Sequence, residues 1–402
     1  MRRVVVTGIG VVSALGLDRE VFWRRLTEGR CGIEPIEAVD CSALKFNLGA
    51  EVKGFDPRAW LAAKEVEMMD RSTQFAVVAA MEALAESSAE VRGDWAAVVT
   101  GCSLGGKCTE AETYKRLYEE KRTRFEPLTI PRTMTNAGAS WISMRHGITG
   151  PCYTVSTACA SAAHAMGQAF WMVRSGLTEV AVTGGNDAPF TLAMLRGWES
   201  MRVVSPEPCR PFSQDRRGLT LGEGAAMFVL EPLDAARARG AHMYAEIRGL
   251  GMSADAGHIT MPSADGAARA LRAALRDAGL AAEQIGYINT HGTGTAVNDA
   301  TETRAIRDVF PVPPPVSSTK SMHGHALGAA GALEAAATVL ALDRGVLPPT
   351  VNFRVADAQC ELDVIPNVAR ALRVEAALSN SFAFGGLNAV LAFARVPDRD
   401  RA

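Results

Sequence analysis

The chain has 402 residues, 48% of them hydrophobic and 21% charged, with a formal net charge of −2. That balance excludes a disordered or membrane-embedded protein. It also excludes a general attraction to nucleic acid, so an acidic partner has to be met by a local basic patch. At ~100–200 residues per domain the length predicts two core-bearing units, and no stretch approaches the ~20 apolar residues of a membrane span. The eight cysteines (31, 41, 102, 108, 152, 159, 209 and 360) form no CxxC pair and no metal-ligand spacing with histidine. This argues against a disulfide framework or a structural zinc site and for a reducing, cytoplasmic setting.

In chain order, Val4 to Val6 predict a buried first strand, and the glycines at 8, 10 and 16 interrupt the apolar run that otherwise mimics a signal peptide. Asp18 predicts a cap for a helix through Thr27. Residues 31–62 read as a surface excursion, Met68 to Ala85 as an apolar helix, and Trp95 to Thr100 as a strand entering the Gly-rich turn at 101–106. Residues 107–132, charged and without clear period, predict an irregular insertion. Asn136 to His146 predicts a helix, Cys152 to Ser156 a strand, Ser161 to Ser175 a helix, and Val180 to Thr183 and Ala225 to Leu230 strands. From residue 241 the order restarts: a strand over Tyr244 to Leu250, a helix after Ser263, a strand over Ile285 to Asn289, a helix from Asp299, and strands from Ala376 and Ala389. Alternating strand and helix predicts an α/β layered fold of two similar halves, 1–240 and 241–402.

Chemistry concentrates in four short stretches. In VSTACASAAHAMGQ, Val155 to Gln168, Cys159 sits where an extended segment turns into a helix, beside free N–H groups and the positive end of the helix dipole, which favour thiolate over thiol. Simple burial is the competing account, since free cysteine is among the most buried residue types. His291 lies in NTHGTGT at the end of a buried strand, with Thr293 and Thr295 offering hydroxyls. Lys320, His323 and His325 crowd into STKSMHGH before a small-residue helix, on which Glu334 needs a cationic or metal partner if buried. Phe384 precedes two glycines in NSFAFGGLN, where its backbone N–H can face a site while its ring gates it.

Together these motifs resemble the β-ketoacyl-acyl-carrier-protein synthases of the elongating type II branch, members of the thiolase-like condensing enzymes. The resemblance covers essentially the whole chain, from VVVTGIGVVSALG to the last strand. It implies a thiolase-like αβαβα fold, an N-terminal half carrying the nucleophile Cys159, and a C-terminal half carrying the catalytic histidines His291 and His325, the second oriented by Lys320. It further implies oxyanion donors at Cys159 and Phe384, and a phosphopantetheine arm held by Thr293 and Thr295. Leu104 matches an apolar gate, and Asp255, His258 and Thr260 a mobile loop beside Phe384. Glu302 and Glu334 match acidic positions of a buried polar or cation-binding site.

The implied reaction extends an acyl group on Cys159 by two carbons from malonyl-carrier protein, with release of CO2. No tightly bound cofactor is expected, because the carrier delivers the phosphopantetheine. The expected partners are that carrier and, as a dimer, a second copy or a chain-length subunit. A thiolase, a chain-initiating synthase and a non-catalytic chain-length subunit are the alternatives; the second histidine argues against the first two and Cys159 against the third. This chain departs from the pattern at Ala383 and Leu387 of the FGG turn, at His323, to which no catalytic role is assigned, and at Glu67 and Met68, where relatives are basic. Arg122, Arg124, Arg132 and Arg210 remain for an acidic carrier. Phe170, Trp171, Met172 and Trp198 point either to a specialised pathway or to ordinary core packing.

Overall fold

The computed structural model describes residues 1–397 and Asp400; residues 398–399 and 401–402 of the expected C-terminal half lie outside the described residues. Ten strands build its main sheet. They are β1 (Val4–Ser13), β2 (Ala96–Gly101), β3 (Cys152–Val155), β4 (Val180–Asp187) and β5 (Gly224–Pro232), then β6 (Ala245–Ala254), β7 (Tyr287–Asn289), β8 (Val316–Ser317), β9 (Ala376–Ala383) and β10 (Leu387–Ala394). The spatial order is β8-β7-β9-β10-β6-β1-β5-β4-β2-β3.

The order contains one pattern twice. β3-β2-β4-β5-β1 and β8-β7-β9-β10-β6 correspond strand for strand, and in each set the three strands nearest the outer edge are parallel while the other contacts are antiparallel. The sets meet only where Val4 to Val6 pair with Ala245 to Ile247. Six helices complete the layers: α1 (Arg71–Ser87), α2 (Ala137–His146), α3 (Ser161–Ser175), α4 (Ala264–Ala278), α5 (Ala296–Val309) and α6 (Ala330–Arg344). Helix α1 covers β1 and β5 from one side and α4 covers β6 and β10 from the other. Between the two strand sets lie α3 and α6, each touching strands of both. The layered α/β fold predicted from the alternation is thus present.

Local chemistry explains where the elements begin and where the sequence reading falls short. Asp70, Ser263 and Thr295 accept backbone N–H groups as caps of α1, α4 and α5. β1 continues past Val6 to Ser13, although glycines were expected to break the apolar run. A Cβ at Gly8 or Gly10 would lie 2.0 Å or 1.9 Å from the carbonyl oxygens of Ala83 or Ala79, so these glycines seat α1 directly on the strand. Residues 107–118 are also not irregular: Lys107–Tyr118 is a helix, with Lys107–Glu110 and Arg116–Glu112 pairs at helical spacing. Among the described residues no helix is long and apolar enough to cross a membrane, and all eight cysteines are free thiols.

Candidate active site

The four motifs converge because each follows the carboxyl end of a parallel strand, where open α/β sheets place their ligands. Cys159 follows β3, His291 follows β7, His325 follows β8 and Phe384 follows β9. The turn before α3 is strained, with Ala158 at φ 50°. It is held by Ser161, whose Oγ accepts the Thr157 N–H at 2.9 Å and donates to the Ala158 carbonyl at 2.7 Å. Gly101, ending β2, lies so close to α3 that a Cβ there would meet the Ser161 and Ala162 backbone within 2.5 Å.

Cys159, His291, His325 and Phe384 line one cavity of about 640 Å³, together with Thr293, Thr295, His258 and Thr260. The Cys159 Sγ lies 3.1 Å from His325 Nε2 and accepts the backbone N–H of Phe384. Burial pushes the thiol up to about 12, opposed by the charge of Lys320 and by the Phe384 N–H. Desolvation of the sulfur thus works against the thiolate that the sequence expectation favoured.

Both histidine tautomers follow from their other ring nitrogens. The Leu327 N–H donates to His325 Nδ1 at 3.2 Å, so the neutral ring carries its proton on Nε2, next to the sulfur. The Lys320 ammonium donates to His291 Nδ1 at 3.3 Å, leaving His291 also with Nε2–H on the other side of its ring. Burial, reinforced by the Lys320 charge, holds both histidines well below the usual histidine value, so both are neutral. The rings stand nearly perpendicular with centroids 5.4 Å apart. The expectation that Lys320 orients His325 is corrected here: Lys320 donates to the Nδ1 and carbonyl oxygen of His291 and reaches His325 only through its field.

Lys320 is buried and paired with Glu334, the cationic partner that carboxylate required. Burial still raises Glu334 to about 7. Glu302 accepts the N–H groups of His291 and Gly292 at 2.9 and 2.8 Å and the Asn380 amide at 3.0 Å, fixing the NTHGTGT backbone. The buried oxygens Glu334 Oε2, Asn289 Oδ1, Asn380 Oδ1 and Ser381 Oγ have no hydrogen-bond partner among the described residues. Such hard oxygen donors suit water or a small alkali or alkaline-earth ion. Among the described residues no three His, Cys, Asp or Glu side chains are grouped to hold a metal.

Of the remaining expected residues, Asp255 lies under the FGG turn, its carboxylate accepting the Asn388 amide at 2.7 Å. The loop and turn are stitched by the Asp255 N–H to the Gly386 carbonyl at 2.9 Å and by the Gly385 N–H to the Ile259 carbonyl at 2.7 Å. Leu104 does not line the cavity; it packs on an apolar cluster that includes Leu195, Leu219 and Leu327. Arg210 is removed from the expected carrier patch, because its side chain is buried and paired with Glu207 and Asp215. Phe170 is a core residue, with Trp171 and Met172 packed against the same core. Trp198, in contrast, lines the cavity and stacks on Phe384 at 6.1 Å.

The sequence reading also missed a residue that braces the site. Asp187, fully buried at the end of β4, accepts the N–H groups of Ser103, Leu104 and Gly328 at 3.1, 3.0 and 2.7 Å and the Ser103 hydroxyl at 2.6 Å. It ties the turn after β2 to the turn after His325. The polar Asn186–Asp187 pair closing a buried strand was its only signal.

Comparison with known proteins agrees with this geometry. A family model described as beta-ketoacyl synthase, N-terminal domain, matches residues 1–236, and one described as beta-ketoacyl synthase, C-terminal domain, matches residues 244–354. Nodulation protein E of a Rhizobium species is 46% identical over 402 residues, covering 98% of this chain and 100% of that protein. The 3-oxoacyl-acyl-carrier-protein synthase 2 of Synechocystis sp. is 41% identical, covering 98% of each. The solved structure of the ishigamide ketosynthase/chain length factor matches with a TM-score of 0.95 at 37% identity, over 98% of this chain and 100% of that one. With its motifs, its doubled strand order and both domain models in agreement, the chain belongs to the beta-ketoacyl synthase family.

Proposed function

We propose that this acyltransferase condenses an acyl group, carried on Cys159, with malonyl-acyl-carrier protein to give a β-ketoacyl-acyl-carrier protein two carbons longer and CO2. The observation that carries this reading is the convergence of one thiol and two neutral histidines on a single cavity, with both Nδ1 atoms occupied as acceptors. Two N–H donors, rather than an acid and a base, suit a reaction in which negative charge appears on oxygen without net proton transfer.

In the first half-reaction the Cys159 sulfur attacks the acyl thioester of the carrier's phosphopantetheine arm, and the thiol proton ends on the departing pantetheine sulfur. The Phe384 N–H and the His325 Nε2–H stabilise the sulfur as it becomes anionic. As the charge passes from sulfur to oxygen, the Phe384 N–H that the resting sulfur accepts would turn to the tetrahedral oxyanion together with the N–H of Cys159. In the second, the malonyl carboxylate leaves as CO2, and the electron pair of the broken C–C bond becomes an enolate on the thioester oxygen, held by the Nε2–H groups of His291 and His325. The enolate carbon attacks acyl-Cys159, and the sulfur leaves as a thiolate that takes one proton from solvent to restore the resting thiol. Thr293 and Thr295, whose hydroxyls lie 3.0 Å apart in the cavity, offer hydrogen bonds to the arm. The cavity mouth includes Arg202 and Arg217 for an acidic carrier. The free cysteines support a cytoplasmic setting, and the similarity to a 3-oxoacyl-acyl-carrier-protein synthase and to a type II PKS ketosynthase supports fatty-acid or polyketide synthesis.

The test is turnover of acyl- and malonyl-carrier protein, followed by CO2 release and by the mass of the product. Cys159→Ala is expected to abolish both acyl transfer to the protein and condensation; undiminished condensation in that variant would overturn the assignment.

A further inference from the structure

His323 sits two residues before His325 and is completely buried, yet the reaction just described leaves it without a part. Its ring is fully engaged. Nδ1 lies 2.9 Å from the Gly324 carbonyl oxygen and Nε2 2.9 Å from Thr319 Oγ1. A carbonyl only accepts, so Nδ1 carries the proton and Nε2 accepts from the Thr319 hydroxyl. That hydroxyl oxygen in turn accepts the Asn289 amide at 3.3 Å, and the same amide donates to the Glu334 carbonyl at 3.2 Å. One imidazole therefore links the end of the strand that leads to His291, the segment that carries Lys320 and the peptide that leads into His325.

That peptide needs such a link. Gly324 has φ +66° and ψ −177°, a conformation that glycine adopts without imposing it. A Cβ there would lie 2.8 Å from the Ala50 side chain and the Leu221 carbonyl oxygen, so no larger residue can lock the backbone sterically. The plane between Gly324 and His325 is instead fixed by hydrogen bonds at both ends. The His325 N–H donates to the Thr220 carbonyl at 2.7 Å, and the Gly324 carbonyl accepts from His323 Nδ1. Rotation of this plane would move His325 away from the sulfur that lies 3.1 Å from its Nε2.

We propose that His323 is a positioning residue that orients His325 by clamping the Gly324 carbonyl. The proposal rests on the reading of His325 as a donor in the condensation. Removing the Nδ1–H leaves a buried carbonyl unpaired and the peptide plane free to turn. Asparagine at 323 can place its amide N–H where Nδ1 stands, whereas glutamine extends to the Nε2 position and leaves the carbonyl without its donor.

The experiment compares His323→Leu, His323→Asn and His323→Gln with the parent in full turnover, using acyl- and malonyl-carrier protein as substrates and circular dichroism to follow folding. His325→Ala serves as the control for the underlying reading. The expected result is a fall in kcat of about 10- to 100-fold for His323→Leu and His323→Gln, the scale of a catalytic group displaced by about 1 Å. KM for malonyl-carrier protein stays within about twofold, and His323→Asn recovers kcat to within about threefold of the parent, since substrate binding is untouched. If His323→Leu does not fold, the contrast between the asparagine and glutamine variants decides. Equal kcat for asparagine and glutamine, or full activity of a folded His323→Leu, overturns the proposal. Full activity of His325→Ala overturns instead the reading on which it rests.

Discussion

A buried ammonium sets the electrostatics beneath the two histidines. Lys320 and Glu334 are each no more than 1% exposed, so their pairing offsets a large desolvation cost and neither can lose its partner cheaply. Glu334→Leu is expected to lower stability by about 3–5 kcal/mol, because it strands the lysine charge; calorimetric unfolding measures this. The double variant Lys320→Met/Glu334→Leu removes both charges and is expected to regain most of that stability. It does not regain condensation, because His291 Nδ1 has lost the donor that fixes its tautomer. Wild-type turnover in the double variant would show that the lysine serves folding alone. The lysine and both histidines were legible from their glycine-flanked motifs, and so was the need of Glu334 for a partner. Which histidine Lys320 serves was not, since KSMHGH places it beside His325 in sequence while the fold turns it to His291.

Among the elements, the contact of β2 with α3 sets the position of Cys159, the proposed nucleophile. The strand can lie against the helix start only because residue 101 has no side chain. Gly101→Ala is expected to push α3 outward, lowering stability by about 1–3 kcal/mol and slowing acylation of Cys159 more than it weakens carrier binding. Denaturant unfolding and the mass of the acylated protein report the two effects, and an unperturbed acylation rate would show that the turn tolerates the shift. The helix expected after Ser263 begins at that serine's cap, whereas the one expected from Met68 begins only after the cap at Asp70. The extension of β1 through two glycines and the helix at 107–118 were not foreseen. In each case a partner distant in sequence, or pairing along a helix face, outweighed local composition.

Across the molecule as a whole, α3 and α6 each pack on strands of both sets and so join them. A fragment of residues 1–240 would keep the strand and turn leading to Cys159 but expose the faces of α3 that pack on α6, β6 and β10. It is expected to show no cooperative thermal transition and to bind hydrophobic dye; a sharp transition from that fragment would establish the N-terminal half as autonomous. Local sequence was enough for the alternation of strand and helix, through short-range periodicity, and for the family resemblance that marks Cys159, His291 and His325 as candidate residues, through motifs whose residue types few other settings require. The burial of the thiol, the histidine tautomers, the partner of Lys320 and the contacts of Asp187 and Trp198 came from the three-dimensional fold alone. Each of these depends on burial or on hydrogen bonds between residues far apart in the chain, and no local pattern encodes that.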